Sequence, residues 1–104
     1  GEYQDIHHYN RENTENYNSK LLSFVRYSNT EKLIVISNFD SEKGNEFTLQ
    51  IPSDIIKKWN LKDGGYQLSD EIYKKSKFDL LVDKSIGYIT ITVKPLESFI
   101  LKLQ

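Results

Sequence analysis

The chain has 104 residues, the size of one ordinary domain, and that length excludes a (β/α)8 catalytic barrel, which needs roughly 250 residues. Hydrophobic residues make up 38% and charged residues 28%, and the longest purely apolar run, Leu33-Ile34-Val35-Ile36, falls far short of the ~20 residues that cross a bilayer. Fourteen basic against fifteen acidic side chains leave a net charge of −1, so neither a membrane nor the phosphate backbone of a nucleic acid is an expected partner.

Taken in chain order, Tyr3 to Tyr9 is a strand candidate and Asn10 to Ser19, the most polar stretch, reads as a loop. Residues 1–19 are accordingly expected to form an N-terminal junction segment and loop, ahead of a β-sandwich over residues 20–104. Gly1 and the absence of any Met suggest a piece cut from a longer protein. Lys20 to Tyr27 is the next strand, and Ser28-Asn29-Thr30 is short enough to join it in a hairpin to the strand after it. That strand, Lys32 to Phe39, is apolar on both faces, with Leu33, Val35 and Phe39 on one side and Ile34 and Ile36 on the other. Such a strand is central and covered twice. Asp40 to Asn45 is a charged, Gly-containing loop.

Glu46 to Ile51 alternates strictly, placing Phe47, Leu49 and Ile51 on one buried face. Pro52 then ends the strand. Ser53 to Trp59 breaks the period of two: a capping Ser53 or Asp54 precedes apolar residues at helical spacing, which predicts one short helix. Asp63-Gly64-Gly65 supplies a turn. Gly65 to Ser69 and Phe78 to Val82 are shorter strands. Gly87 to Val93 buries Ile89, Ile91 and Val93, and Ser98 to Leu103 buries Phe99, Leu101 and Leu103. The expected fold is all-β, an antiparallel sandwich of about eight strands with one short helix; a small closed barrel is the other architecture this spacing allows. Phe24, Val35, Phe47, Ile91 and Leu101 are expected between the sheets.

The chemistry is sparse. There is no cysteine, which removes thiolate nucleophiles and Cys-based zinc sites. His7 and His8 are the only histidines; as neighbours on a strand they would point to opposite faces, so no metal site is expected. The carboxylates sit mainly beside turns, and a compact sandwich offers little cleft for a glycosidase pair. No phosphate loop, nucleophile elbow or HExxH helix is present. No catalytic residue and no cofactor are therefore assigned. The aromatics are the remaining resource. Phe24, Phe39, Phe47 and Phe99 fit inward positions, whereas Tyr3, Tyr9, Tyr17, Trp59, Tyr66 and Tyr73 lie at strand ends or loops. Trp59, Tyr66 and Tyr73 are the candidates for stacking on sugar rings, against the plainer reading that they cover core edges.

Leu21-Leu22-Ser23-Phe24-Val25-Arg26, a hairpin, and then Leu33-Ile34-Val35-Ile36-Ser37-Asn38-Phe39 resemble the C-terminal β-sandwich domain of the alpha-amylase family, glycoside hydrolase family 13. The later pieces come in the same order: Phe47 to Pro52, Tyr66-Gln67-Leu68 with Glu71-Ile72, Ile89-Thr90-Ile91, and the closing Pro95 to Leu103. The helix over Ser53 to Trp59 departs from the commonest short form. The resemblance implies a parent enzyme acting on α-glucans, whose catalytic barrel lies elsewhere in the same polypeptide and is this domain's partner. None of the family's catalytic residues falls on a matching position; Asn38 and Arg26 match structural ones. On this reading Ile34, Ile36 and Tyr3 are expected to form the docking surface for the barrel. A stand-alone sugar-binding module and an immunoglobulin-like interaction domain are the competing expectations.

Overall fold

The computed structural model describes residues 1–74 and 77–104. It contains β1 (Glu2–Asp5), α1 (His7–Asn13), β2 (Leu21–Tyr27), β3 (Lys32–Asn38), β4 (Asn45–Ile51), α2 (Ser53–Lys58), β5 (Gly64–Asp70), β6 (Lys77–Asp83), β7 (Ile86–Val93) and β8 (Ser98–Leu103). The strands pair antiparallel in the order β1-β2-β3-β8-β5-β6-β7-β4. This single sheet curls over so that its two halves share one core, giving the sandwich-like, all-β fold that the alternation predicts. The fold-over is visible in the register. β6 and β7 pair only near their turn, from Leu81↔Tyr88 to Asp83↔Ile86.

The alternating segments place their faces as expected. Phe47, Leu49 and Ile51 of β4, Ile89, Ile91 and Val93 of β7, and Phe99 and Leu101 of β8 are all buried. Between them Gly87 makes a close approach: a Cβ there would lie 3.0 Å from Leu80 Cδ1, 3.1 Å from Ile56 Cδ1 and 3.2 Å from Ile51 Cβ. α2 sits on this spot with Ile55 and Ile56 buried. Its first turn carries Asp54 and its last Lys57 and Lys58, complementing the helix dipole. The N-cap position belongs to Pro52 and makes no side-chain hydrogen bond, so the helix starts without the expected cap by Ser53 or Asp54.

β2 and β3 reverse the expected parity. Leu21, Ser23 and Val25 face inward and Phe24 outward; Ile34, Ile36 and Asn38 face inward, and Leu33 and Val35 outward. The reason is polar. Ser23 is fully buried because Tyr17 Oη lies 2.7 Å from its Oγ. Asn38 is buried because its amide donates to the carbonyls of Lys43 (3.0 Å) and Lys94 (3.1 Å) and accepts from the Asp40 N–H (3.1 Å). Phe39, expected inside, is 62% exposed.

The N-terminal stretch also departs from expectation. β1 ends at Asp5, and a helix, α1, occupies residues expected as strand and loop. His7 and His8 therefore begin a helix instead of pointing to opposite faces of a strand. α1 follows β1 directly and packs on β2 and on β4, the opposite edge of the sheet. Its one buried residue, Asn10, fastens it to β4. The Asn10 amide donates to the carbonyls of Gln50 and Ile6, both at 2.8 Å, and its Oδ1 accepts from the Gln50 N–H (2.7 Å) and Thr14 Oγ1 (2.6 Å). A side-chain amide thus satisfies both main-chain groups of an edge residue, as a neighbouring strand would. Ile6 and Tyr17 belong to the same core as the strands.

Candidate functional site

The two outer faces of the curled sheet differ in chemistry. On β4 and β7 the outward residues Glu46, Thr48, Gln50, Thr90 and Thr92 make a mainly polar surface, in which Thr92 Oγ1 donates to Glu46 Oε2 at 3.2 Å, and its apolar part is confined to Tyr88 and the exposed Leu81 of β6 opposite it. On β2, β3 and β8 the centre of the outward face is apolar, with Arg26, Ser37, Ser98 and Lys102 around it. Phe24 lies opposite Val35, and Val35 opposite Ile100, forming a row across three strands. Leu22 and Leu33 flank that row. Each of these five is half-buried, held flat against its neighbours with one side left open. Tyr3 on β1, 62% exposed, extends the row by placing its ring 4.9 Å from that of Phe24. The rim is polar. Lys102 pairs with Glu31 at 3.5 Å, and Ser98 Oγ donates to Ser37 Oγ at 2.9 Å. A contiguous apolar centre with a polar rim is the anatomy of a protein-binding surface.

Of the residues expected on a docking surface, Tyr3 lies on this face. Ile34 and Ile36 do not: both are fully buried on the inner side of the same strand. Their outward neighbours Leu33 and Val35 take that position, together with Phe24.

The three sugar-stacking candidates are not brought together. Trp59 is 4% exposed, closing the C-terminal end of α2 with its ring edge-on to Tyr27 at 5.9 Å. A buried ring has no open face for a sugar, and it fits the plainer reading of a core seal. The Tyr66 hydroxyl donates to the Lys62 carbonyl (2.7 Å) and accepts the Lys62 N–H (3.0 Å), so it staples the loop entering β5. Tyr73 is 45% exposed and edge-on to Phe99. It lines an open groove of about 1000 Å³ where β6 and β7 diverge, along with Phe78, Asp79, Thr90 and Lys94; neither Trp59 nor Tyr66 reaches that groove.

Among the described residues two titratable groups are shifted, each by structure. Burial pushes the Tyr17 hydroxyl up to about 12. Asp40 is held below the ordinary carboxyl value by the Glu42 and Lys43 main-chain N–H groups, 2.9 and 3.1 Å from its Oδ1. That carboxylate organises its own loop.

The family model described as the alpha amylase C-terminal all-beta domain matches residues 12–104. The chain belongs to that family. Comparison with curated proteins and with solved structures returns no match. Within this alpha-amylase C-terminal domain, the matched span takes in seven of the eight strands and both halves of the sheet, leaving β1 and most of α1 outside it. Asn38, inside that span, ties β3 to the loop before β4 and to the turn before β8, which is structural work of the kind expected at its position.

Proposed function

We propose that this domain is a non-catalytic accessory module of an enzyme acting on α-glucans, and that it packs the outer face of β2, β3 and β8 against the catalytic barrel of the same polypeptide. The observation that carries the reading is the asymmetry of the two outer faces: threonine, glutamate and glutamine beside the single Tyr88–Leu81 pair on one, and the contiguous Phe24, Val35, Ile100, Leu22, Leu33 and Tyr3 on the other. Membership of the family supports a catalytic domain elsewhere in the chain. Docking there removes apolar area from water at about 25 cal/mol per Å² and fixes the sandwich rigidly, a stabilising role with only indirect influence on catalysis. Val35 is the test position, because it sits at the centre of the row without contributing to the inner core. Val35→Lys in the parent enzyme is expected to lower its melting temperature by several degrees while leaving the cleavage chemistry of the folded fraction intact. The same substitution in the present chain alone is expected to be tolerated. Ile36→Lys, one residue away but inward, is expected to unfold both, since it buries an unpaired charge. An unchanged melting temperature for the Val35→Lys parent enzyme would sink this docking surface.

A further inference from the structure

The junction between β1 and α1 gathers side chains of a different kind. Asp5, His7 and His8 each present one ligand atom, and the three atoms lie within 4.8 Å of one another. The change from strand to helix makes this possible, because consecutive residues at a helix start fan around one side instead of alternating across a sheet. The turn itself is anchored: Ile6 is fully buried, and its N–H donates to the Ser23 carbonyl at 3.2 Å. Asp5 Oδ1 accepts the His7 N–H at 2.7 Å, leaving Oδ2 3.7 Å from His8 Nε2. His7 Nδ1 lies 3.4 Å from the Leu21 carbonyl. A carbonyl only accepts, so in neutral His7 this contact places the proton on Nδ1 and the lone pair on Nε2. Histidine metal ligands are commonly oriented by such a second hydrogen bond.

We propose that Asp5, His7 and His8 form a binding site for a first-row divalent cation of the zinc type, with Asp5 Oδ2, His7 Nε2 and His8 Nε2 as ligands and a fourth position open to solvent. Two imidazoles and one carboxylate suit Zn²⁺, which takes N and O donors at about 2.0–2.2 Å. Magnesium and calcium, which require oxygen, are not expected to bind. The ligands need small side-chain rotations to close on the ion, and they have the freedom: His8 and Asp5 are 75% and 37% exposed. Arg11 opposes the site. Its Nη2 is 3.4 Å from His7 Nε2, engaging the lone pair the metal needs and adding a positive charge beside it. The arginine must swing away, so its removal is expected to tighten binding.

Calorimetric titration of the chain with ZnCl2 at pH 7.5, paired with histidine ring resonances by NMR, tests this directly. The chain has two histidines, so two ring signals report the whole set. The expected result is one Zn²⁺ per chain, both signals shifting together, and full reversal by a chelator. MgCl2 is expected to give no heat. His8→Ala and Asp5→Asn should each weaken binding about tenfold or more, and Arg11→Gln should tighten it several-fold. Binding should weaken as pH falls, since both imidazoles must be unprotonated to ligate. Movement of only one histidine signal, affinity unchanged by His8→Ala, or an Arg11→Gln variant no tighter than the parent would each overturn the assignment.

Discussion

Replacing Asn10 by Ala removes the side chain that ties α1 to the β4 edge of the curled sheet, and the cost can be worked out from its contacts. Four hydrogen bonds of 2.6–2.8 Å are lost at a residue with no exposed surface. A typical bond contributes about 0.5–1.5 kcal/mol net, and each donor or acceptor left buried without a partner costs about 1–3 kcal/mol. Asn10→Ala gains a few tenths of a kcal/mol in helix propensity, which offsets little. The expected loss is about 4 kcal/mol, a large part of the roughly 5–15 kcal/mol that holds a domain together. Urea unfolding followed by the fluorescence of the single, buried Trp59 is the assay. With a slope of about 2 kcal/mol per molar, the midpoint should fall by about 2 M. The Gln50 amide should also lose its protection from hydrogen exchange. Asn10→Asp refines the test. The introduced carboxylate would face the Gln50 and Ile6 carbonyls, which favours its protonated form in the folded state. Its folded pKa is then raised, so that variant should be most stable below pH ~4 and lose stability as pH rises through the raised value. A loss under about 1 kcal/mol for Asn10→Ala, or an Asn10→Asp variant indifferent to pH, would refute the bridging role.

Phe47→Ala should cost about 3–5 kcal/mol, because the ring is buried and meets Tyr17 edge-on at 5.4 Å; thermal melting measures it. Gly87→Val should destabilise by about 1–3 kcal/mol or more through overpacking against Leu80, Ile56 and Ile51, again read by melting temperature. Tyr17 has its hydroxyl raised from 10.0 to about 12, so folding favours the neutral form. Its stabilising contribution is full below pH 10 and lost as pH rises from there towards 12, and Tyr17→Phe should flatten that part of the stability curve in denaturant titrations at stepped pH.

The segments legible in the sequence share one property: a single buried face marked by apolar residues alone. Phe47-Leu49-Ile51, Ile89-Ile91-Val93 and Phe99-Leu101 are readable for that reason. β2 and β3 are not, because both parities are apolar and the true inner face includes Ser23 and Asn38. Their burial depends on partners distant in the chain or in other elements, Tyr17 for one and the Lys43 and Lys94 carbonyls for the other, and a count of apolar positions cannot weigh such partners. The same ambiguity reaches the candidate site. It exchanges Ile34 and Ile36 for Leu33 and Val35 on the outer face, while Tyr3 lies on that face in both descriptions. α1 is illegible for a related reason: His7-His8-Tyr9-Asn10-Arg11 has no apolar stripe, and the helix is held by the polar Asn10. The cluster of Asp5, His7 and His8 depends on that helix start and is hidden with it.

The place of β8 in the sheet bears on how such a chain is made. Residues 98–103 lie between β3 and β5, so the last of the eight strands in sequence completes the middle of the sheet and not its rim. During synthesis β2 and β3 can form their hairpin early, but the inner edge of β3 stays unpaired until Ser98 to Leu103 has emerged. Open apolar edges of this kind are where nascent chains aggregate, and pairing across such sequence separations is slow. A ribosomal product halted before Ser98 would leave β3 and β5 unjoined, with Ile34, Ile36 and Leu68 exposed to quality control. The fold thereby makes synthesis through Leu103 a condition of burying its core.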